Sequence, residues 1–231
     1  MDPVTLAALA FGGLLVFGGK KSRSSSVHRG NWAVKGDEDR VYWLNEIRAM
    51  SNWYSSTYGS MNYLADYFTV VGYIESRFNP AAINPEYKTN PNNAARGLFG
   101  VRPKTAFKSA NGLEYMRAYP NSLLNPRWAF VTATFSVWQA CDAVWDKNSG
   151  IPNFAAVRRW WGYPSKVHDF NYKDPYSAGN TERFLEGLQE CNDQYGTNID
   201  PDFIWQPIHG WQNFPGMPAM IQSFGLQGVY A

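Results

Sequence analysis

Three histidines and two cysteines among 231 residues leave little from which to build a metal centre or a disulfide framework. His28, His168 and His209 are scattered and show no metal-ligand spacing. Cys141 and Cys191 alone make neither a zinc site nor a network of bridges, which leaves a single bridge or two inert buried thiols. Charge is also scarce: 17% of residues are charged and the formal net charge is +2, too small for nucleic acid as the main partner. Positive charges follow the first apolar run where a cleavable signal peptide has them before it, so the run does not read as one. Alternating strand patterns are almost missing, and no internal repeat is visible. Residues 203–231 hold no Asp, Glu, Lys or Arg, and are too apolar for a solvated disordered tail. Aromatic residues, in contrast, are abundant, at 16% with 10 tryptophans. Such an excess suits packed helices, sugar-binding clefts and protein interfaces. A hydrophobic content of 45% supports a sizeable core, and the length suits one domain of roughly 150–200 residues plus extensions.

The chain divides into four parts. Residues 3–19 carry no charge, and Lys20, Lys21 and Arg23 follow at once. A spanning helix needs at least about 17 residues, so residues 1–19 read as an uncleaved membrane anchor, with a buried hairpin or helix as the alternative. The positive-inside tendency places the basic cluster on the cytoplasmic or interior side. Residues 20–35 are basic and serine-rich and read as a linker. Residues 36–196 carry helical periodicity and form the predicted mainly α domain. Val41, Leu44 and Ile47 mark the buried face of its first helix, with Trp43 and Trp53 nearby. Gly59-Ser60 breaks that helix, and Ser60 caps the next. Residues 79–95, with three Asn-Pro pairs, read as loop. Pro103 starts a short helix, Asn125-Pro126 starts a long core helix over 128–146, and Pro152 starts another. Residues 164–179 read as polar loop. Residues 181–195 read as a helix burying Phe184, Leu188, Cys191 and Tyr195, with Gly196 as its stop. Residues 197–231 read as an irregular, uncharged, aromatic and proline-rich arm, which needs either the domain or a partner to lie on.

One charged residue interrupts an apolar pattern. Met61, Leu64, Phe68, Val71 and Glu75 step by three and four, which places them on one face of a helix. A carboxyl closing an apolar face is either a partnered core charge or an acid with chemical work to do. Burial disfavours the charged form, which suits donation of a proton.

Glu75 also opens the string Glu75-Ser76-Arg77-Phe78-Asn79-Pro80, and Gly97-Leu98-Phe99-Gly100-Val101-Arg102-Pro103-Lys104-Thr105-Ala106 follows it. Together, in this order and spacing, the two strings resemble the leading motifs of soluble-type lytic transglycosylases, members of glycoside hydrolase family 23. The similarity extends weakly over residues 60–190, through Asn125-Pro126, residues 155–162 and the Asn180-Thr181-Glu182 string. It implies a goose-type, lysozyme-like helical domain and cleavage of the β-1,4 bond between N-acetylmuramic acid and N-acetylglucosamine. In this family one glutamate protonates the leaving oxygen and then acts as base. The substrate's N-acetyl group assists, and its own 6-hydroxyl closes a 1,6-anhydro ring. The resemblance makes Glu75 the catalytic residue and implies no metal and no cofactor. Glu86 and Glu114 are the candidates for a second carboxylate, and both read as solvated loop residues.

The chain departs from the family at several substrate-positioning places. Gly100 stands where the family has glutamine, and Asn84 where it has the serine before proline. Arg159 falls on the motif tyrosine, which Tyr163 can replace, and Asn180 falls on a later glutamate. Ser76, Asn84, Phe99, Gly100, Arg159, Tyr163 and Asn180 are the expected substrate contacts. The partners that follow are peptidoglycan glycan strands, a membrane held through residues 3–19, virion or envelope proteins on the arm, and no nucleic acid. The anchor orientation favours a phage particle, with the enzyme on an internal membrane or at a vertex, over a bacterial envelope. Two alternatives stay open. One is a degenerate lysozyme-fold component of an assembly, and the other is a lysozyme that hydrolyses with water.

Overall fold

The computed structural model describes residues 34–59, 64–103, 119–148, 175–200 and 213–228. The expected anchor at 1–19, nearly all of the linker, the helix after Pro152, and both Arg159 and Tyr163 lie outside these residues. Among the described residues no helix is long and apolar enough to cross a membrane. They contain five α-helices, two short 3₁₀ helices and no strand beyond isolated bridges, so the mainly α reading holds.

Helix α1, Asp37–Tyr58, opens with Asp37, Glu38 and Asp39, whose charges suit the positive end of a helix. Its buried face runs through Trp43, Leu44, Ile47, Met50, Ser51 and Tyr54. Val41, expected on that face, lies at its margin and is 44% exposed. The buried Ser51 hydroxyl is satisfied locally by donating to the Ile47 carbonyl.

Helix α2, Leu64–Ser76, is the central element and packs against α1 and against α4, Pro175–Tyr195. It is buried nearly all round, through Leu64 and every residue from Tyr67 to Tyr73. The single apolar stripe read from sequence was therefore too narrow, because neighbours cover this helix on several sides. Two glycines allow the close approach. A Cβ on Gly72 would meet Ile47 Cδ1 of α1 at 2.9 Å, and one on Gly187 would meet Ile74 Cγ1 at 2.5 Å. Tyr67 stacks on Phe184 of α4, with ring centroids 6.1 Å apart.

Helix α3 spans Pro126–Asn148. Its start follows the predicted cap: Asn125 Oδ1 accepts from the Arg127 amide at 3.0 Å, and proline begins the first turn. Phe130 reaches Phe68 of α2 at 5.5 Å and Tyr54 of α1 at 6.5 Å, which closes the core. Cys141 on α3 and Cys191 on α4 are buried free thiols, so there is no bridge between them. Burial raises both above the ordinary thiol value, Cys191 to about 12, which keeps them inert.

Helix α4 begins at Pro175, ahead of the expected start at residue 181. The polar residues that suggested loop form its first turn, with proline again at the helix start. Phe184, Leu188 and Cys191 are buried as expected, and Tyr195 is partly buried against the core. The expected irregular arm is also partly helical. Helix α5, Met217–Ser223, buries Met217 and Met220, followed by buried Phe224 and Leu226. Phe224 meets Trp53 edge-on at 4.9 Å, and Phe214 stacks on Trp138 at 5.2 Å. Asn213 donates to the Gly59 carbonyl at 2.9 Å, and the Tyr58 and Ser223 hydroxyls share a hydrogen bond of 2.8 Å. The surface on which this part of the arm lies is its own domain.

Candidate active site

Helix α2 delivers Glu75 in its last turn, where the helix emerges from the core and the carboxylate becomes half-buried. Full shielding, as the apolar stripe suggested, is therefore not what is found. Beyond Ser76 the chain turns sharply through two successive left-handed non-glycine residues, Arg77 at φ 53° and Phe78 at φ 58°. Such a backbone is costly for residues with a Cβ and persists only where its surroundings hold it. Here the Phe78 amide donates to the Gly72 carbonyl at 3.2 Å and the Arg77 amide to Tyr73 at 2.9 Å. The Phe78 ring is fully buried beside Tyr73 and Tyr195. Arg40 donates to the Arg77 carbonyl, and the Arg77 guanidinium lies 3.9 Å from the Tyr73 ring centroid and 2.8 Å from Glu190. Burial, then the hydrogen bond to Glu190, pushes the Tyr73 hydroxyl up to about 12.

Ser76 joins the two motifs. Its hydroxyl lies 2.9 Å from the Gly72 carbonyl and 2.8 Å from the Leu98 carbonyl, and its oxygen accepts from the Asn79 amide at 3.2 Å. These contacts engage Ser76 within the fold, where it positions the second motif against the first. That motif is a tight turn closed by reciprocal backbone hydrogen bonds between Arg96 and Val101, at 3.1 and 3.2 Å. The Gly97 amide donates to Ala82, and the Asn84 amide to Ala95, which ties the turn to the Asn-Pro loop.

The two glycines of the turn are both left-handed, Gly97 at φ 76° and Gly100 at φ 59°. A Cβ on Gly97 would fall 2.0 Å from the Leu123 carbonyl oxygen, so the turn is seated on the 3₁₀ helix Pro120–Leu124. A Cβ on Gly100 would fall 2.6 Å from Glu75 Oε2, 3.0 Å from its Cβ and 3.2 Å from its Cδ. The glutamate side chain thus lies along the bare Gly100 backbone. One wall of the site is peptide at the place where the family resemblance calls for a glutamine side chain.

The remaining expected contacts are spread out. Phe99 is fully buried on Phe68, with centroids 4.6 Å apart, and supports the site from below without reaching its surface. Asn84 is exposed and caps the 3₁₀ helix Pro85–Lys88, its Oδ1 accepting from the Glu86 amide at 2.9 Å. Glu86, one candidate second acid, forms a two-pronged pair with Arg102, at 2.6 and 3.1 Å. Hydrogen bonding from that guanidinium holds its carboxyl below the ordinary value. Glu114 lies outside the described residues. Asn180 falls on helix α4, but its side chain lies outside them too.

The sequence reading passed over Arg96, which is 1% exposed. Its guanidinium donates to Ala94 O, to Pro91 O and to Asn121 Oδ1, and sits 5.7 Å from the Tyr87 ring centroid. It binds the Asn-Pro loop to the same 3₁₀ helix that seats Gly97. Arginine is seldom fully buried, so nothing in its sequence context marks it as a staple. Among the described residues no group of three His, Cys, Asp or Glu could hold a metal ion. No protein-family model, no curated protein and no solved structure matches the chain.

Proposed function

We propose that the chain is a peptidoglycan lytic transglycosylase with Glu75 as its general acid and base. The observation that carries this reading is the joining of the two motif strings. Ser76 bonds to Leu98, and the Gly100 backbone lies along the Glu75 side chain. Two strings separated in sequence thus form one site around one half-buried carboxylate. In this reading the protonated Glu75 gives its hydrogen to the oxygen bridging the two sugars as the bond to C1 breaks. The 2-acetamido group supports the positive charge developing at C1. The carboxylate then removes the hydrogen of the 6-hydroxyl as that oxygen bonds to C1, which restores the acid and needs no water. A single positioned acid is sufficient for this sequence of steps, and such a group contributes about 10²–10⁴-fold in rate.

The substrate is then the glycan strand of the wall. Residues 3–19 would tether the chain to a membrane in or on a virion, where a local opening in the wall is required. A second reading, a lysozyme-like structural component, is favoured by the burial of Phe99 and the lack of a side chain at Gly100. Clearing of isolated peptidoglycan by the purified chain and by Glu75→Gln separates the two. The enzyme reading predicts clearing by the wild type alone. If both leave the wall intact, the chain is a structural component.

A further inference from the structure

We infer that residue 100 positions the Glu75 carboxylate by having no side chain, whereas residue 97 of the same turn serves the fold. The inference rests on Glu75 being the acid and goes beyond that assignment. A Cβ at position 100 would lie within 3.2 Å of three atoms of Glu75, the nearest being Oε2 at 2.6 Å. Something must then shift, and the turn cannot. It is locked by the paired Arg96–Val101 hydrogen bonds, by Gly97 to Ala82, and by the close seat of Gly97 on the Leu123 carbonyl. Leu98 and Phe99, between the two glycines, are fully buried. The nearest clash, with Oε2, falls at the far end of a flexible side chain, whereas the turn is backbone, so it is the proposed catalytic group that gives. A methyl at 100 therefore displaces the carboxylate, while the fold absorbs the strain of a left-handed alanine and the 3.0 Å contact with the Glu75 Cβ. A methyl at 97 meets backbone, at 2.0 Å from Leu123 O, and the collision has no soft partner.

The test compares Gly100→Ala and Gly97→Ala in the full chain, using thermal melting, steady-state kinetics on soluble glycan-chain fragments, and the ¹³C shift of the Glu75 carboxyl. For Gly100→Ala we expect a melting temperature lowered by about 2–4 °C. Its kcat should fall at least about 100-fold with KM unchanged, and the Glu75 carboxyl resonance should move. For Gly97→Ala we expect loss of the cooperative transition. Wild-type kcat with an unmoved carboxyl resonance in Gly100→Ala overturns the inference, as does unfolding of that variant to the extent seen for Gly97→Ala. Should the wild type cleave nothing, the proposed function fails. The carboxyl shift and the melting contrast then still decide whether residue 100 positions the glutamate.

Discussion

Helix α2, which carries the carboxylate, buries Leu64 and every residue from Tyr67 to Tyr73 against its neighbours. The segment from Asn79 to Val101, which supplies the opposing wall, has one 3₁₀ turn, two isolated bridges and a handful of polar staples. The floor is held by many small apolar contributions, each interchangeable in part with the next. The wall is held by a few directional bonds, and each fixes a particular stretch of backbone. Burial supplies the stability, and the staples supply the placement. Glu75 sits where the two regimes meet, so loosening a polar staple of the wall should disturb its placement before it disturbs folding.

The largest effect should come from breaking the floor. Phe68→Ala removes a fully buried ring that touches Tyr67, Phe99 and Phe130. It should cost about 3–5 kcal/mol in urea unfolding. A loss below about 1 kcal/mol would mean that α2 is not the keystone of the core. Arg96→Met tests the wall. It leaves Pro91 O, Ala94 O and Asn121 Oδ1 without the guanidinium, at a cost of about 1–3 kcal/mol. Amide exchange should quicken across residues 84–96 and stay slow in α2. Equal quickening in both would erase the distinction between the regions.

Smaller again is the acid sensitivity of the Glu86–Arg102 pair. The folded carboxyl lies below its ordinary value because Arg102 donates to it. The contribution of the pair is therefore fully present above the ordinary glutamate range and is lost as pH falls through the lowered folded value. Exchange in residues 84–90 should rise over that acid window in the wild type and show no such step in Arg102→Ala. A step that survives the substitution would assign the pH response elsewhere. The smallest effect is expected from Arg77→Gly. It relieves a left-handed backbone at φ 53° but gives up an exposed ion pair with Glu190 and the stack on Tyr73. These terms oppose one another, each about 1 kcal/mol or less. The melting temperature should stay within about 2–4 °C of the wild type, and a larger fall would show that the ion pair holds more than its own helix end.

The floor was largely legible in the sequence and the wall was not. The start of α3 at Asn125-Pro126, the buried face of α4 and its stop at Gly196 follow from local rules of capping and period. Helix α5 escaped because the prolines and glycines around it read as breakers, although Pro218 stands in its first turn, where proline is tolerated. The early start of α4 escaped because polar side chains there carry no apolar period. In the site, Glu75 was visible as a charge on an apolar pattern. The fit of Gly100 against it depends on two segments meeting in space, and no local pattern encodes that. The motif serine was expected to meet substrate, but the same hydroxyl can face inward to a carbonyl, and composition does not distinguish the two. Arg96 was passed over for the same reason, since its neutral oxygen partners come from the loop behind it and from a distant 3₁₀ helix.

The most direct measurement is the chemistry of the ends left when the purified full chain digests isolated peptidoglycan, with Glu75→Gln run in parallel. The account predicts muropeptides ending in 1,6-anhydromuramic acid from the wild type and none from the variant. Free reducing ends from the wild type, or the same products from both proteins, would contradict it.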